Sequence, residues 1–229
     1  MAPLRSATLM LLALGVGCSS AVQCPAQIAD ARNRCLNGIP NFQLVRQTKP
    51  HTHLIYRGGQ PTLAGWAYLR HTLHVATVIK LNAPEESWGQ GDDQPATQLG
   101  MRVVSLSLPP HDYGIAPRSL PEPFRDIPDD KVAIAIATLS DETHGNVYVH
   151  CTHGRDRTGL VVGLYRVFHE GWAAKDAYTE MNAVGFRPLN HNLHEYWEDL
   201  FETSEQPESN SRRVQLRAWI ERVSGRSVQ

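Results

Sequence analysis

The segment from Asn146 to Glu170 constrains the fold of this chain more than any other. It begins with a short apolar run (NVYVH), continues through a polar turn and ends in a long apolar stretch that starts at Thr158. A short run that is apolar at most positions is typical of a strand buried on both faces, as in a parallel sheet covered by helices. The segment therefore predicts a strand, a turn and a helix of an α/β fold.

The rest of the chain repeats this alternation of strands and helices. Further strands are predicted at residues 53–57, 75–81 and 102–108, and residues 82–95, rich in Gly, Asp, Gln and Pro, are predicted to be a loop. Helices are predicted at residues 62–73, 126–139, 158–170, 173–184, 189–203 and 212–223. Strands separated by helices indicate one α/β domain, with a central, mostly parallel sheet flanked by helices.

Composition excludes several classes of protein. The 22 Lys and Arg residues nearly balance the 23 Asp and Glu residues, and the net charge of −1 offers no basic surface for nucleic acid. Four cysteines are too few for a disulfide scaffold of 229 residues, and no internal repeat recurs. We therefore expect an ordinary globular domain that has no nucleic-acid partner.

The first 21 residues have the pattern of an export signal. An uncharged apolar run at residues 7–16 follows a weakly positive start and is too short to span a bilayer. Small residues at 19–21 fit cleavage by a signal peptidase, whereas residues 14–18 resemble a bacterial lipobox, with its leucine one place early, that would place a lipid on Cys18. We expect a bacterial protein that is periplasmic or secreted, with membrane attachment only through that lipid.

Residues 22–50 are predicted to form an N-terminal arm, with a short helix around residues 26–36. Export makes the cysteines informative, because disulfides persist in oxidising compartments. Cys24 and Cys35 are the natural disulfide pair within the arm. This pairing leaves Cys151 as a free thiol.

Cys151 lies where ligands bind in open parallel sheets, beyond the carboxyl end of a strand and before a helix. Backbone N–H groups of the turn and the helix dipole would together form a cradle for a phosphate group and favour a thiolate, which is a nucleophile. Arg157 would bind two phosphate oxygens with its planar guanidinium. Gly154 and Gly159 would permit the turn, and Thr158 places a hydroxyl near the sulfur. The segment therefore predicts a phosphate-binding loop that carries a nucleophile.

The run His150-Cys151, five further residues and Arg157-Thr158-Gly159 is similar to the signature of cysteine-dependent protein tyrosine and dual-specificity phosphatases. The stretch at residues 56–61 (YRGGQP) and the strand at 75–81 resemble the compact dual-specificity-like group of bacteria, plants and fungi. The resemblance covers roughly residues 54–188. It implies a phosphatase domain at 51–229 with extra helices at its C-terminal end.

The resemblance implies a role for each residue of the loop. Cys151 would form a phosphocysteine, Arg157 would clamp the phosphate, and Thr158 would assist hydrolysis of the intermediate. His150 would orient the loop and tune the thiol. The residues between would bind phosphate: Thr152, His153, Gly154, Arg155 and Asp156. We expect no metal and no cofactor, because adjacent residues at a strand end point to opposite faces and neither CxxC nor HExxH is present.

Cleavage of a phosphate ester also requires a proton donor for the leaving oxygen. In the family this donor is an Asp in the loop that follows the preceding strand, and here the strand at 102–108 leads toward Asp112, with His111 as an alternative. Three other carboxylates are closer to Cys151 in sequence but are predicted to lie at the N-terminal turn of the next helix, where they favour its dipole: Asp126, Asp129 and Asp130.

The resemblance implies hydrolysis of phosphomonoesters, first of phosphotyrosine in a protein and alternatively of an inositol phosphate or a phosphoinositide. Tyr113 would flank a flat phosphotyrosine, whereas His153 and Arg155 would enlarge a positive rim suited to a multiply phosphorylated ring. Two remote alternatives are a rhodanese-type sulfurtransferase and an inactive phosphate-binding module. The first needs neither the acid nor the full motif, and the second would lack either Cys151 or the acid.

Overall fold

A computed structural model describes residues 35–47, 53–82, 93–109, 126–187, 191–201 and 211–225. The predicted export signal lies outside these residues, as do Cys18, Cys24, His111, Asp112 and Tyr113. Within the described ranges, none of the helices has the length and apolar character needed to cross a bilayer.

The described residues form seven strands and seven α-helices. The strands are β1 (Cys35–Leu36), β2 (Ile39–Pro40), β3 (Gln43–Gln47), β4 (Leu54–Gly58), β5 (Val75–Lys80), β6 (Arg102–Ser105) and β7 (Asn146–His150). The helices are α1 (Leu63–His71), α2 (Gln94–Gln98), α3 (Asp129–Ser140), α4 (Asp156–Phe168), α5 (Ala174–Ala183), α6 (His191–Phe201) and α7 (Ser211–Ser224), and a 3-10 turn spans Glu142–His144.

Five strands form one sheet in the order β3-β4-β7-β5-β6. The strands β4, β7, β5 and β6 run parallel, and β3 pairs antiparallel with β4 at one edge. In this register His150 lies between Gly58 on one side and Lys80 on the other. The predicted single α/β domain with a mostly parallel central sheet is confirmed, and its central strand, β7, leads directly to Cys151.

Alternation along the strands divides the core between the two faces of the sheet. Ile55, Val147 and Val149 belong to a large cluster that includes buried side chains of α3, α4, α5, α6 and α7. Tyr56 and Tyr148 belong to a smaller cluster with α1 and α2. Because side chains alternate between faces, His150 shares the face of Tyr148. The side chain that precedes the predicted nucleophile therefore packs on the α1 side.

The predicted arm is corrected by the structure over its described part. Residues 35–47 form three strands, and β3 belongs to the central sheet, so the sheet begins before residue 51. The last two residues of the predicted helix at 26–36 form β1 instead, which pairs with β2 through a turn at Asn37 and Gly38. Both turn residues have positive φ (50° and 78°), as tight hairpins require, and Asn-Gly is the sequence that favours them.

Candidate active site

The turn between β7 and α4 holds the predicted nucleophile. Cys151 follows β7 directly, is a free thiol and has 3% of its surface exposed. The turn ends at Arg155, and no side-chain cap is bonded to the first N–H groups of α4 in the described structure. Such uncapped N–H groups bind anions when a ligand is present. Cys151 therefore lies beside uncapped N–H groups at the start of α4, where the sequence predicts a phosphate-binding loop.

Gly154 gives the turn its shape. Its φ is +70°, and a Cβ at this position would lie 2.2 Å from the carbonyl carbon of Gly58, so only glycine fits. Its carbonyl oxygen accepts hydrogen bonds from Nη2 of Arg57 at 3.0 Å and from Nδ2 of Asn41 at 2.9 Å. Arg57, a buried residue of β4 that the sequence analysis did not single out, thus holds the loop against this strand.

Burial lowers the pKa of Arg57 to about 10, which leaves the side chain a cation at neutral pH. The negative charge of Cys151 acts on this guanidinium in the opposite direction from burial and raises its pKa. Arg57 therefore contacts the loop through its hydrogen bond to Gly154 and brings a positive charge that interacts with Cys151. The stretch at residues 56–61 was the signal in the sequence that pointed to this region.

Arg157 occupies the first turn of α4 with 1% of its surface exposed. Its Nη1 donates to the carbonyl oxygens of Leu81 and Leu108, each at 3.4 Å. Leu81 follows β5 and Leu108 follows β6, so the guanidinium is fixed at the carboxyl edge of the sheet. This anchoring is what a phosphate clamp requires, because it orients the planar group before a ligand arrives.

The side chain of Asp156 binds Arg187, although the sequence predicts that Asp156 binds phosphate. Its carboxylate accepts hydrogen bonds from the backbone N of Arg187 at 2.9 Å and from Nη2 of the same residue at 2.7 Å. A carboxylate that faced a phosphate dianion would be repelled, whereas here its charge is neutralised by Arg187. Only the backbone N–H of Asp156 is therefore suited to the cradle, and its side chain holds Arg187 beside the loop.

The other loop residues lie where the motif predicts them. Thr158 is fully buried, and its Oγ1 makes no hydrogen bond to any described residue. Thr152, His153 and Arg155 are half-buried on the turn, and the carbonyl oxygen of Thr152 accepts from the backbone N of Gln60 at 3.1 Å. The roles of these residues stay predictions. The roles of Asp112 and His111 also stay predictions, since both lie outside the described residues.

A buried polar cluster behind the loop was not anticipated from the sequence. Nζ of Lys80 lies 2.8 Å from Oδ2 of Asp93, and Nε2 of Gln60 donates to Oδ1 of Asp93 at 3.1 Å. Nε2 of His150 lies 3.5 Å from the same Oδ1. Lys80 was the available signal, because a single charge inside the buried strand VATVIK requires a partner. The partner came from a segment predicted to be a loop.

Cys35 is disulfide-bonded, and its partner lies outside the described residues. Its pairing with Cys24 therefore stays a prediction. No cluster of His, Cys, Asp or Glu with the geometry of a metal site is found in the described part of the chain.

A family model described as the tyrosine phosphatase family matches residues 40–218. The chain belongs to the tyrosine phosphatase family. The predicted family is therefore confirmed. The match includes the loop at 151–157, the strands that support it and most of the last helix.

Individual relatives are similar over more than half of the chain. The dual specificity protein phosphatase TpbA of Pseudomonas aeruginosa is 32% identical over 149 residues, which cover 64% of this chain and 56% of that protein. The inositol diphosphatase DSP1 of rice is 29% identical over 128 residues, which cover 56% of this chain and 52% of that protein. The chain thus spans about half the length of the curated relatives it matches.

Among solved structures, the catalytic core of the inositol diphosphatase Siw14 of Saccharomyces cerevisiae has the same fold. Its TM-score is 0.54 at 19% identity, and the match covers 79% of this chain and 94% of that one. At this identity the likeness establishes the fold alone, which is that of the cysteine phosphatases.

Proposed function

We propose that the chain is a cysteine-dependent phosphatase that hydrolyses phosphomonoesters, with phosphotyrosine or dual-specificity protein substrates first. One observation carries the proposal. A free buried cysteine and an anchored, buried arginine bracket a turn at a helix N-terminus, in a chain of the tyrosine phosphatase family. A thiolate and a planar cation at this spacing suit attack on a phosphate group better than any other chemistry the loop offers.

In the first step, the Cys151 thiolate attacks phosphorus, so that a P–S bond forms and the P–O bond to the leaving alcohol breaks. Backbone N–H groups of the turn and the guanidinium of Arg157 bind the non-bridging oxygens, where they stabilise the charge of the transition state. A general acid protonates the leaving oxygen, and we assign this role to Asp112, with His111 as the alternative.

In the second step, water attacks the phosphorus of the phosphocysteine. The P–S bond breaks, its electron pair returns to Cys151 as a thiolate, and the carboxylate that lost its proton in the first step accepts one from the water. The hydroxyl of Thr158 donates a hydrogen bond to the departing sulfur. This assignment is supported by its position one residue after Arg157 and by an Oγ1 that has no hydrogen-bond partner among the described residues.

The proposed activity is tested by turnover of p-nitrophenyl phosphate and its inhibition by vanadate, with transfer of sulfur from thiosulfate to cyanide measured in parallel. We expect vanadate-sensitive phosphatase activity and no sulfur transfer. Sulfur transfer without phosphatase activity would identify the rhodanese-type alternative, and neither activity would identify an inactive phosphate-binding module.

An inositol phosphate or a phosphoinositide is the second candidate substrate. Three basic side chains around the loop favour it. They are the half-buried His153 and Arg155 and the neighbouring Arg187. Arg187 is held in place by Asp156, and its side chain is 35% exposed. The curated relatives also include inositol diphosphatases. A substrate with several phosphates would use such a rim, whereas a single phosphotyrosine has no second phosphate to place there.

Replacing Arg187 by alanine separates these two candidates. If a multiply phosphorylated inositol is the substrate, KM for inositol hexakisphosphate should rise by about five- to tenfold, because a charge-assisted contact to a second phosphate is lost. Turnover of p-nitrophenyl phosphate should fall by less than that of the inositol phosphate, since a substrate with one phosphate loses only the pairing of Arg187 with Asp156. Steady-state kinetics on both substrates provides the measurement.

Arg187→Lys is the companion variant, since it keeps a cation that can still pair with Asp156. An equal loss on both substrates in Arg187→Ala would assign Arg187 to support of the loop. A phosphotyrosine peptide turned over efficiently by both variants, with no activity on the inositol phosphate, would establish the protein substrate.

Replacing Asp112 by asparagine tests the assignment of the general acid. We expect turnover of an alkyl phosphate to fall by about 10²–10⁴-fold, because its leaving oxygen is a strong base that requires a proton. The loss on p-nitrophenyl phosphate should be much smaller, since that leaving group departs with little help. The wild-type dependence of kcat/KM on pH should be bell-shaped, and the basic limb should flatten in the variant.

The matched variant is Asp126→Asn, which changes another carboxylate that precedes α3. It should leave both substrates unaffected. Equal losses on the two substrates in Asp112→Asn would assign Asp112 to binding or to loop structure, and the acid would then be sought at His111 and Asp126.

We further propose that residues 1–21 are removed on export, with lipidation of Cys18 as the alternative. The apolar run at residues 7–16 and the small residues at 19–21 support this proposal. A disulfide at Cys35 is the bond expected in an oxidising compartment.

A further inference from the structure

Four polar side chains meet in the interior behind the loop, and the phosphatase mechanism uses only one of them. Their exposed fractions are 7% for Gln60, 6% for Lys80, 5% for Asp93 and 0% for His150. Lys80 ends β5, His150 ends β7 and Gln60 follows β4, so three neighbouring strands deliver them to one edge of the sheet. Asp93 joins them from the residue that precedes α2.

Asp93 is the centre of this cluster. Its Oδ2 lies 2.8 Å from Nζ of Lys80, and its Oδ1 faces Nε2 of both Gln60 and His150, at 3.1 Å and 3.5 Å. Burial raises the pKa of this carboxyl, but the hydrogen bonds and charge of its partners outweigh burial and hold its pKa well below the usual range. Asp93 is therefore an anion in the folded protein, and Lys80 balances its charge.

A buried ion pair is costly, because each charge loses its hydration, and an apolar pair of similar size is often as stable. Stability alone therefore gives little reason for Lys80 and Asp93 to lie in this place. Their position relative to the nucleophile gives a reason. Asp93 contacts His150, the residue before Cys151, and Gln60, whose backbone N donates to Thr152, the residue after Cys151.

The imidazole of His150 has little freedom to reorient. It stacks on Tyr148 with ring centroids 5.4 Å apart and an interplanar angle of 14°, and the edge contact to Trp66 has a centroid distance of 5.6 Å. Oδ1 of Asp93 lies 3.5 Å from Nε2, so a carboxylate faces that edge of the ring. The ring is thus fixed by packing on its faces and by charge at one edge.

We propose that Lys80 and Asp93 are positioning residues that act through His150 as a charge-balanced pair and set the pH at which Cys151 becomes a reactive thiolate. This inference rests on the proposed function of Cys151 as nucleophile. With both charges present, the pair carries no net charge. Removal of Lys80 leaves an anion there, which disfavours the thiolate, and removal of Asp93 leaves a cation, which favours it.

Other charged groups near Cys151 stay constant in this comparison. Arg57 reaches the loop from β4, and Arg157 belongs to the first turn of α4. Tyr148, on β7, is buried, and burial and the neighbouring negative charges hold its pKa well above its usual value, so it stays neutral. His153, Arg155 and the Asp156–Arg187 pair lie on the turn and its rim. A change in reactivity after substitution at Lys80 or Asp93 therefore reports the charge of that pair.

The experiment measures alkylation of Cys151 by iodoacetamide between pH 4.5 and 8.5, followed on the Cys151 peptide by mass spectrometry. The full chain is used with its disulfide intact. Lys80→Met should raise the pH of half-maximal alkylation rate by at least about half a unit, and Asp93→Asn should lower it by at least about half a unit. The double variant should return to within about 0.3 units of the wild type, because it carries neither charge.

Opposite shifts cannot arise from loosened packing, which would change both single variants in the same way. Shifts of the two single variants in the same direction would overturn the proposal. So would no shift in Asp93→Asn, or a double variant that stays shifted from the wild type as Asp93→Asn is. Asp93→Asn and the double variant test the proposal even if Lys80→Met does not fold. Asparagine keeps the shape of the Asp93 side chain, and the double variant has no unpaired buried charge. Thermal melting curves identify a variant that does not fold.

Asp129→Asn is the matched control. Oδ1 of Asp129 accepts from the hydroxyl of Tyr196 on α6 at 2.7 Å and lies 3.4 Å from Nη2 of Arg212 on α7, and neither helix carries the loop. Its substitution removes a carboxylate with an ionic partner and should leave the alkylation profile unchanged. Alkylation reports the thiolate without turnover. If the variants show the predicted shifts but the wild type has no phosphatase activity, the proposed function is refuted and this inference stands.

Discussion

Replacing Cys151 by serine should reduce turnover of p-nitrophenyl phosphate by on the order of 10⁴-fold or more, because a serine hydroxyl is a far weaker nucleophile than the thiolate that is lost. The variant should bind tungstate, an analogue of phosphate, at least as tightly as the wild type. The reason is electrostatic, since the Ser variant removes an anion from the floor of the cradle while Arg157 and the loop amides remain. Steady-state kinetics and calorimetric titration provide the two measurements.

The covalent intermediate gives this prediction an independent check. Rapid acid quench of the wild type during turnover should yield phosphate on the Cys151 peptide, and the serine variant should yield none. Turnover in Cys151→Ser within about tenfold of the wild type would remove the phosphocysteine mechanism. A variant that loses both turnover and tungstate binding, with an unchanged melting temperature, would mean that Cys151 shapes the cradle and does not supply the nucleophile.

The fold was predictable to the extent that each element carries its own pattern. The strand at Asn146–His150 is apolar at its three central positions. Thr62, a residue type favoured at helix N-termini, caps α1 by accepting from the backbone N of Gly65. The strand β3 was missed because QLVRQ places polar residues at both ends of an edge strand, which makes no continuous apolar run. The strand β3 pairs with β4, and no local pattern in the sequence encodes that choice of partner.

The candidate site was predictable where its residues are adjacent in sequence. The run from His150 to Thr158 ends one strand, forms the turn and begins one helix, so spacing along the chain is also spacing in the site. Lys80, Asp93 and Arg187 were missed because each is brought to the loop by a different element. Asp156 was assigned to phosphate for the same reason, because its partner Arg187 lies beyond α5 and only the folded chain places the two together.

Replacing Arg157 by lysine should lower kcat/KM for p-nitrophenyl phosphate by about 10²–10³-fold, although the charge is conserved. The guanidinium has donors for two phosphate oxygens while its Nη1 donates to the carbonyl oxygens of Leu81 and Leu108. A lysine has a single nitrogen, which cannot bind two phosphate oxygens and the two carbonyl oxygens at the same time. Leu81 still accepts from the backbone N of Leu108 at 3.0 Å, so the oxygen of Leu108 loses the donor that Arg157 supplied.

Arg70→Lys is the matched control, because Nη1 of Arg70 donates to the carbonyl oxygen of Val75 at the same distance of 3.4 Å, on a helix that does not carry the loop. It should leave the kinetics within about twofold of the wild type. Near-normal kinetics in Arg157→Lys would show that charge alone holds the phosphate and that the planar clamp is misassigned. If the clamp is correct, the loss should appear in kcat as well as in KM, because a guanidinium fixed at the edge of the sheet fits the transition state better than the bound substrate.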